Sequence, residues 1–407
     1  MQEKKKILFV INTMGRAGAE KVLTALLRQL DPDLVEVDLL SLIPRGEMYS
    51  RVPEFVNILN TEPIMASVLD KDGKKYVKRH VFKALLKKAR FISYLPYALK
   101  NIKAQKKRGR VMPDKLFWKL ISDSAPRFSK EYDLAVGYTE GASTYYVANY
   151  VFAKKKVSFI HVDFLTAGYI PALEKQYYDV MDNIFCVSIA VRQNFADLFP
   201  QYDEKTKVFN NIVTPEEIIG RCDEFDPYQD GFNGTRFLTV ARLHFQKGLD
   251  IAIKTFAKLK KMGYNNIKWY VLGEGDERGN LESLISEHGL QDDFILFGAS
   301  MNPYPYINGC DIYIQPSRFE GYCIALTEAL ILGKPAIVTD FAGARDQIIP
   351  GETGIITTLL NENLLNCIKN LLDNPEKKDK IIDNVKKRPI DVNKHLHYIY
   401  DLCDVHA

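Results

Sequence analysis

Short apolar runs of strand length alternate with helical segments along this chain, and the alternation restarts midway; this pattern constrains the fold more than any single residue. Ile7–Ile11 reads as a buried strand, followed by a loop from Asn12 to Gly18. Ala19–Leu30 has helical spacing, with Val22, Leu23, Leu26, Leu27 and Leu30 on one side. Strands at Val35–Leu42, Leu134–Gly137, Val157–Ile160 and Ile184–Val187 follow. After Asn210-Asn211 come strand Phe237–Val240, helix Leu249–Leu259, strand Trp269–Leu272, helix Asn280–His288 and strand Phe294–Phe297. Such alternation implies α/β architecture, with parallel sheets covered by helices on both faces. The restart predicts two doubly wound domains, residues 1–210 and 211–384, facing each other across a cleft. A C-terminal helix from about residue 385 to 407 is expected to pack back onto the first. In doubly wound sheets ligands sit at the carboxyl ends of strands, so the strand-end loops carry the search.

Length agrees, since 407 residues exceed what one hydrophobic core usually supports. No apolar run reaches the roughly 18 residues that a spanning helix needs, and the apolar start is too short for a signal peptide. The six cysteines are scattered without a Cys-x-x-Cys, which suits free thiols in a reducing cytosol.

Residues 316–345 are the most informative stretch. An apolar strand (Ile312, Tyr313, Ile314) enters a loop with Glu320, then a helix with Glu328, then a strand from Pro335 to Val338. Backbone N–H groups from Gly321 through Tyr322 and Cys323 to Ile324 open that helix. A helix start of this kind attracts anions through unsatisfied donors and the helix dipole. Carboxylates flanking an anion site suit hydroxyl-rich groups on either side of it, a sugar and a ribose. The layout points to a nucleotide-sugar. Arg242 and Lys247 share the loop after Phe237–Val240 and can converge on a diphosphate, the arginine as a fork and the lysine as a point charge. Alone, such a pair would read as solvated surface cations.

Arg242-x4-Lys247, Glu320-x7-Glu328 and Gly333-Lys334-Pro335 leading to Gly343 resemble the family 4 retaining glycosyltransferases of the GT-B fold. Gly15-Arg16-Ala17-Gly18-Ala19-Glu20 is similar to that family's glycine-rich first loop, and Val187-Ser188-x-Ala190-Val191 with Asn211 match its middle. The resemblance covers nearly the whole chain. It implies two Rossmann-like domains, acceptor-binding then nucleotide-sugar-binding. It implies that Arg242 and Lys247 bind the donor diphosphate, that Glu320 contacts the donor sugar and that Glu328 contacts the ribose. Where the family usually has Glu-Gly-Phe-Gly, this chain has Glu320-Gly321-Tyr322-Cys323. The change keeps the backbone donors and alters the sugar pocket.

His161 and Asp163 close the strand at Val157–Ile160, where period two would put both side chains on one side. The family often places a histidine there beside the donor sugar; a lone strand-end histidine is otherwise structural. Asp163 is expected to orient His161 or to meet the acceptor, and Glu140 and Gly141 are acceptor-side candidates. Gly273-x-Gly275-x-x-x-Gly279 lacks the dinucleotide spacing and carries Asp276 and Glu277 where a pyrophosphate would sit. Its loop, with Gly273, is better placed by the donor's nucleoside. The Phe297–Pro303 loop, with Gly298, is expected to shape the pocket. Asp31-Pro32-Asp33, capping a helix end, and Asp70-Lys71-Asp72, in a charged loop, imitate a metal motif. No metal or other cofactor is expected, because Arg242, Lys247 and helix-terminal N–H groups can neutralise the leaving diphosphate.

The net charge of +4 conceals an asymmetry: residues 71–130 hold 19 Lys/Arg against 3 Asp/Glu, leaving the remainder at −12. Val77, Val81, Phe82, Leu85, Leu86 and Ala89 recur at helical spacing among Lys74, Lys75, Lys78, Arg79, Lys83, Lys87, Lys88 and Arg90, with Tyr94, Tyr97 and Trp118 nearby. A basic amphipathic helix over 74–90 suits an anionic membrane surface. The plainer alternative is a helix packed on the sheet with a solvated cationic face. No motif supports nucleic-acid binding. The expectation is a cytoplasmic enzyme, peripheral on the inner face of the membrane. It would move a sugar from a nucleoside-diphosphate sugar, most simply a UDP-sugar, to a glycan or lipid-linked acceptor in surface polysaccharide biosynthesis. A nucleotide-sugar epimerase and a catalytically silent nucleotide-sugar-binding subunit are the alternatives.

Overall fold

The computed structural model describes residues 3–68, 71–86, 90–107, 112–388 and 395–405. The chain divides into two compact units, residues 1–213 with 392–407, and residues 214–391. The expected boundary at 385 falls inside a helix, Pro375–Lys387, that belongs to the second unit.

The first unit holds a seven-stranded sheet. Its strands are β1 (Lys5–Ile11), β2 (Val35–Ser41), β3 (Asn57–Ile58), β4 (Glu131–Gly137), β5 (Phe152–Ile160), β6 (Asn183–Cys186) and β7 (Thr206–Val208), in the order β3-β2-β1-β4-β5-β6-β7. Every ladder is parallel. A parallel strand needs cover on both faces, and Ile7 to Ile11 are accordingly all buried. Helix Gly18–Gln29 supplies part of the cover by burying Val22, Leu23, Leu26 and Leu27. The C-terminal helix, His397–Leu402, belongs to this unit: the Asp31 N–H donates to the Tyr400 hydroxyl (2.9 Å), and Tyr398 stacks on Phe185.

The second unit repeats the plan with β8 (Thr235–Val240), β9 (Ile267–Leu272), β10 (Phe294–Gly298), β11 (Ile312–Gln315), β12 (Ala336–Thr339) and β13 (Ile355–Thr357), ordered β10-β9-β8-β11-β12-β13. Its core centres on Trp269, packed edge-on against Phe237 and Phe256. The indole N–H donates to Thr239 Oγ1 (3.0 Å), so burial leaves no orphan donor. In each sheet the strand order reverses beside the first strand, between β1 and β4 and between β8 and β11. Connections on either side of such a reversal diverge and leave a crevice at the carboxyl edge. Both units are therefore Rossmann-like, and the fold is GT-B.

Several expectations change. β5 ends at Ile160, so strand alternation does not extend through His161 and Asp163. Lys71 and Asp72 lie in the first turn of helix Lys71–Leu86 rather than in a loop, and Asp70 lies outside the described residues. The apolar stripe expected on that helix is split: Val81, Ala84 and Leu85 pack with Tyr94, Tyr97, Phe117 and Leu120, whereas Phe82 and Leu86 face solvent. Lys87, Lys88, Ala89 and the Arg90 side chain lie outside the described residues; a second helix spans Arg90–Lys107.

Candidate functional site

Where β8 and β11 diverge, the loops after them hold the second unit's polar residues. The loop after β8 runs through Arg242 and Lys247 to Gly248, which opens helix Leu249–Lys261. Gly248 adopts φ +66°, and a Cβ there would lie 2.0 Å from the Pro316 carbonyl, so only glycine admits the β11 loop at this distance. Arg318 then ties the two loops together. Its N–H donates to the Gln246 carbonyl (2.8 Å), and its guanidinium forks onto Asp250 (2.8 and 2.7 Å).

Between these loops Lys247 Nζ donates to Glu320 Oε1. The Ser317 hydroxyl donates to the same oxygen (2.8 Å), and Gln246 Nε2 reaches Oε2 at 3.5 Å. Glu320 is only 7% exposed, so its charge needs these donors. Arg242 is exposed and makes no ion pair among the described residues. Helix Ile324–Ile331 starts at Cys323: the Leu326 and Thr327 N–H groups turn back to the Cys323 carbonyl (3.2 and 3.3 Å), and the Ile324 and Ala325 N–H groups have no acceptor inside the helix. Glu328 lies in this helix and is 2% exposed. Burial drives the Tyr313 phenol well above its ordinary value, and Cys323, Glu328 and Glu320 add to the effect, so the three groups share one neighbourhood. Burial also pushes the Cys323 thiol up to about 12, which leaves it protonated and unreactive.

Several glycines around the site are required by close backbone packing. A Cβ on Gly343 would lie 2.7 Å from the Gly321 carbonyl and 3.0 Å from Tyr322 Cα, so the β12 loop supports the Gly321–Tyr322 turn from behind. Gly273, at φ +155°, would put a Cβ 1.9 Å from the Ala241 carbonyl, and its N–H donates to the Gly298 carbonyl (2.7 Å). Gly273 and Gly298 thus knit the β9 and β10 loops to the β8 loop.

His161, Gly15 and Gly18 belong to the first unit. Gly18 begins a helix, and a Cβ on Gly15 would meet Val68 at 2.9 Å. His161 follows β5, with its N–H donating to Glu140 Oε2 (3.0 Å) and its ring Nε2 2.8 Å from the Tyr138 carbonyl. A carbonyl only accepts, so Nε2 carries the hydrogen. Burial holds the imidazole pKa below its ordinary value, and the neutral ring keeps Nδ1 as an acceptor. Asp163 does not orient His161. It accepts from the Thr166 N–H (2.8 Å) and from Asn194 Nδ2 (2.7 Å), closing a turn. The Tyr138 carbonyl orients the ring instead, and Glu140 holds the His161 backbone, because β4 and β5 are neighbours and the residues that follow them lie side by side.

Sequence reasoning missed the buried polar row Tyr313, Gln315 and Ser317. The signal was present: three polar residues at period two on and just beyond an otherwise apolar strand. It also missed Asp250, Gln246 and Arg318, whose pairing needs two loops from non-consecutive strands.

Comparison with known proteins agrees with this geometry. Residues 229–388 match the family model "Glycosyl transferases group 1". Among curated relatives, the N-acetylgalactosamine-N,N'-diacetylbacillosaminyl-diphospho-undecaprenol 4-alpha-N-acetylgalactosaminyltransferase of Campylobacter jejuni is 28% identical over 200 residues, covering 48% of this chain and 53% of the relative. The O-antigen biosynthesis glycosyltransferase WclY of Escherichia coli is 26% identical over 162 residues, or 40% of each chain. The chain thus spans about half the length, or less, of these curated relatives. Among solved structures, Anabaena HepE in complex with UDP superposes with a TM-score of 0.64 over 98% of this chain and 99% of that one, at 16% identity.

Proposed function

We propose that this chain transfers a sugar from a nucleoside-diphosphate sugar, with a UDP-sugar as the first candidate, to a glycan or lipid-linked acceptor in surface polysaccharide biosynthesis. The observation that carries the reading is the convergence of Lys247, Glu320, buried Glu328 and a helix N-terminus where β8 and β11 diverge. The diphosphate takes Arg242, Lys247 and the helix-terminal N–H groups. Glu328 holds ribose hydroxyls, and Glu320 the donor sugar. As the anomeric bond breaks, charge grows on the leaving diphosphate and these cations and amides stabilise it. No enzymic nucleophile is assigned: substitution occurs on one face with retention, the leaving phosphate helps deprotonate the acceptor, and no metal is required. His161 offers Nδ1 to a sugar hydroxyl. UDP in the HepE complex and the diphospho-undecaprenol in the Campylobacter relative's name support the donor and acceptor classes.

The acceptor class also fits the basic helices of the first unit. Lys74, Lys75, Lys78, Arg79 and Lys83 are exposed on Lys71–Leu86, and Lys100, Lys103, Lys106 and Lys107 on Arg90–Lys107. Phe82 and Leu86, and Leu95 and Leu99, are pairs four residues apart that each expose more than half their surface. No helix among the described residues is long and apolar enough to cross a membrane. Cationic helices with exposed apolar pairs suit peripheral docking on an anionic leaflet, where each basic residue contributes about 1 kcal/mol.

A thermal-shift screen against UDP-, GDP-, ADP- and TDP-sugars tests the donor assignment. One donor class should raise the melting temperature in proportion to occupancy. No shift with any of them would favour a nucleotide-independent role.

A further inference from the structure

The Lys247 ammonium is engaged by the Glu320 carboxylate, so a diphosphate must compete for it. That carboxylate is itself fixed from beneath. Tyr313, Gln315 and Ser317 are at most 1% exposed. The Tyr313 hydroxyl donates to Gln315 Oε1 (2.6 Å), Gln315 Nε2 donates to Ser317 Oγ (2.8 Å), and Ser317 Oγ donates to Glu320 Oε1 (2.8 Å). The direction is set: an amide N–H must donate to the serine oxygen, so the serine hydrogen goes to the carboxylate. The Ser317 carbonyl accepts from Thr339 Oγ1 of β12, which anchors the end of the relay. Lys247, by contrast, stands on a flexible four-carbon stem.

We infer that donor binding exchanges partners on Lys247. The donor diphosphate takes the ammonium from the Glu320 carboxylate, and Ser317 holds the released carboxylate in position for the donor sugar. Ser317 is thus a positioning residue that touches no ligand. Without its hydroxyl, the departure of Lys247 would strip Oε1 of both donors in a buried setting, which is costly for a charged group. This inference rests on the proposed donor site and adds an internal competitor to it.

The experiment is isothermal titration of the full chain with whichever of UDP, GDP, ADP and TDP stabilises the wild type. Failure of all four to bind counts against the donor site itself, not the exchange. Given binding, Glu320→Gln removes the competitor and should tighten the nucleotide about tenfold, which is about 1.4 kcal/mol. Loss of simple repulsion would also tighten binding, so the substitution is repeated beside Lys247→Met. There the exchange predicts less than a twofold gain, whereas repulsion alone predicts the same gain as before and would overturn the inference. Ser317→Ala should weaken the nucleotide about tenfold, Ser317→Thr should restore it, and the loss should vanish in the Glu320→Gln background. Circular dichroism confirms that each variant is folded, and Lys247→Gln replaces Lys247→Met if the latter does not fold. Unchanged affinity in Ser317→Ala, or looser binding in Glu320→Gln, contradicts the exchange.

Discussion

Glu174 of the first unit provides a stability test with a definite sign. Its carboxyl is 3% exposed, and the Tyr145 hydroxyl lies 2.7 and 2.6 Å from its two oxygens. Burial raises its pKa from 4.5 to about 8; the Tyr145 hydrogen bond and Lys115 oppose the rise, and Glu140 adds to it. At pH 7 the folded protein therefore holds a proton that the unfolded chain has lost. The stabilisation is fully present below pH 4.5 and is lost as pH rises through about 8. At about 1.4 kcal/mol per pH unit, the full span bounds the effect at roughly 5 kcal/mol. For a domain of this size that amounts to roughly 10–20 °C in melting temperature. Glu174→Gln supplies a permanently neutral isostere that still accepts from Tyr145. Melting curves of both proteins between pH 5 and 9 should converge at the acid end and separate at the alkaline end, with the variant the more stable. Parallel pH profiles would show that Glu174 titrates normally and that its burial does not control its charge.

Other expectations follow from particular contacts. Gly343→Ala would put a methyl group 2.7 Å from the Gly321 carbonyl, so nucleotide affinity should fall about tenfold while the circular dichroism spectrum is retained; unchanged titration curves would place the phosphate elsewhere. Binding to anionic vesicles should be salt-sensitive and abolished by charge reversal at Lys78, Arg79 and Lys83, and sedimentation that ignores these changes would retire the membrane surface. Product anomers assigned by proton NMR should keep the donor's configuration, with transfer undiminished by a chelator. Inversion would rule out same-face substitution.

The fold was legible in the sequence where burial is complete. β1 carries the unbroken apolar run Ile7–Ile11, and the restart after Asn211 falls close to the end of the first unit. Short edge strands left less trace: β3 has two residues and β13 three, too few for any period to declare itself. In the site, local spacing revealed Glu320, Glu328, Arg242 and Lys247, because a strand-end loop and the helix after it lie within a few residues of each other. What it could not reveal was partnership across the sheet. Ion pairing of Lys247 with Glu320 and of Arg318 with Asp250 depends on β8 and β11 being neighbours although β9 and β10 separate them in sequence. The orienting role weighed for Asp163 is absent for a related reason. The strand ended three residues earlier than alternation required, and Asp163 was taken up by Thr166 and Asn194.

The central claim is that a nucleotide-sugar binds the second unit with its diphosphate on Lys247 and its ribose on Glu328. Calorimetric titration of the full chain with its stabilising nucleotide-sugar, against Lys247→Ala and Glu328→Ala, tests this most directly. Losing a charged contact of 1.5–3 kcal/mol should weaken binding roughly 10- to 100-fold in each variant. Wild-type affinity in both folded variants would contradict the placement of the donor.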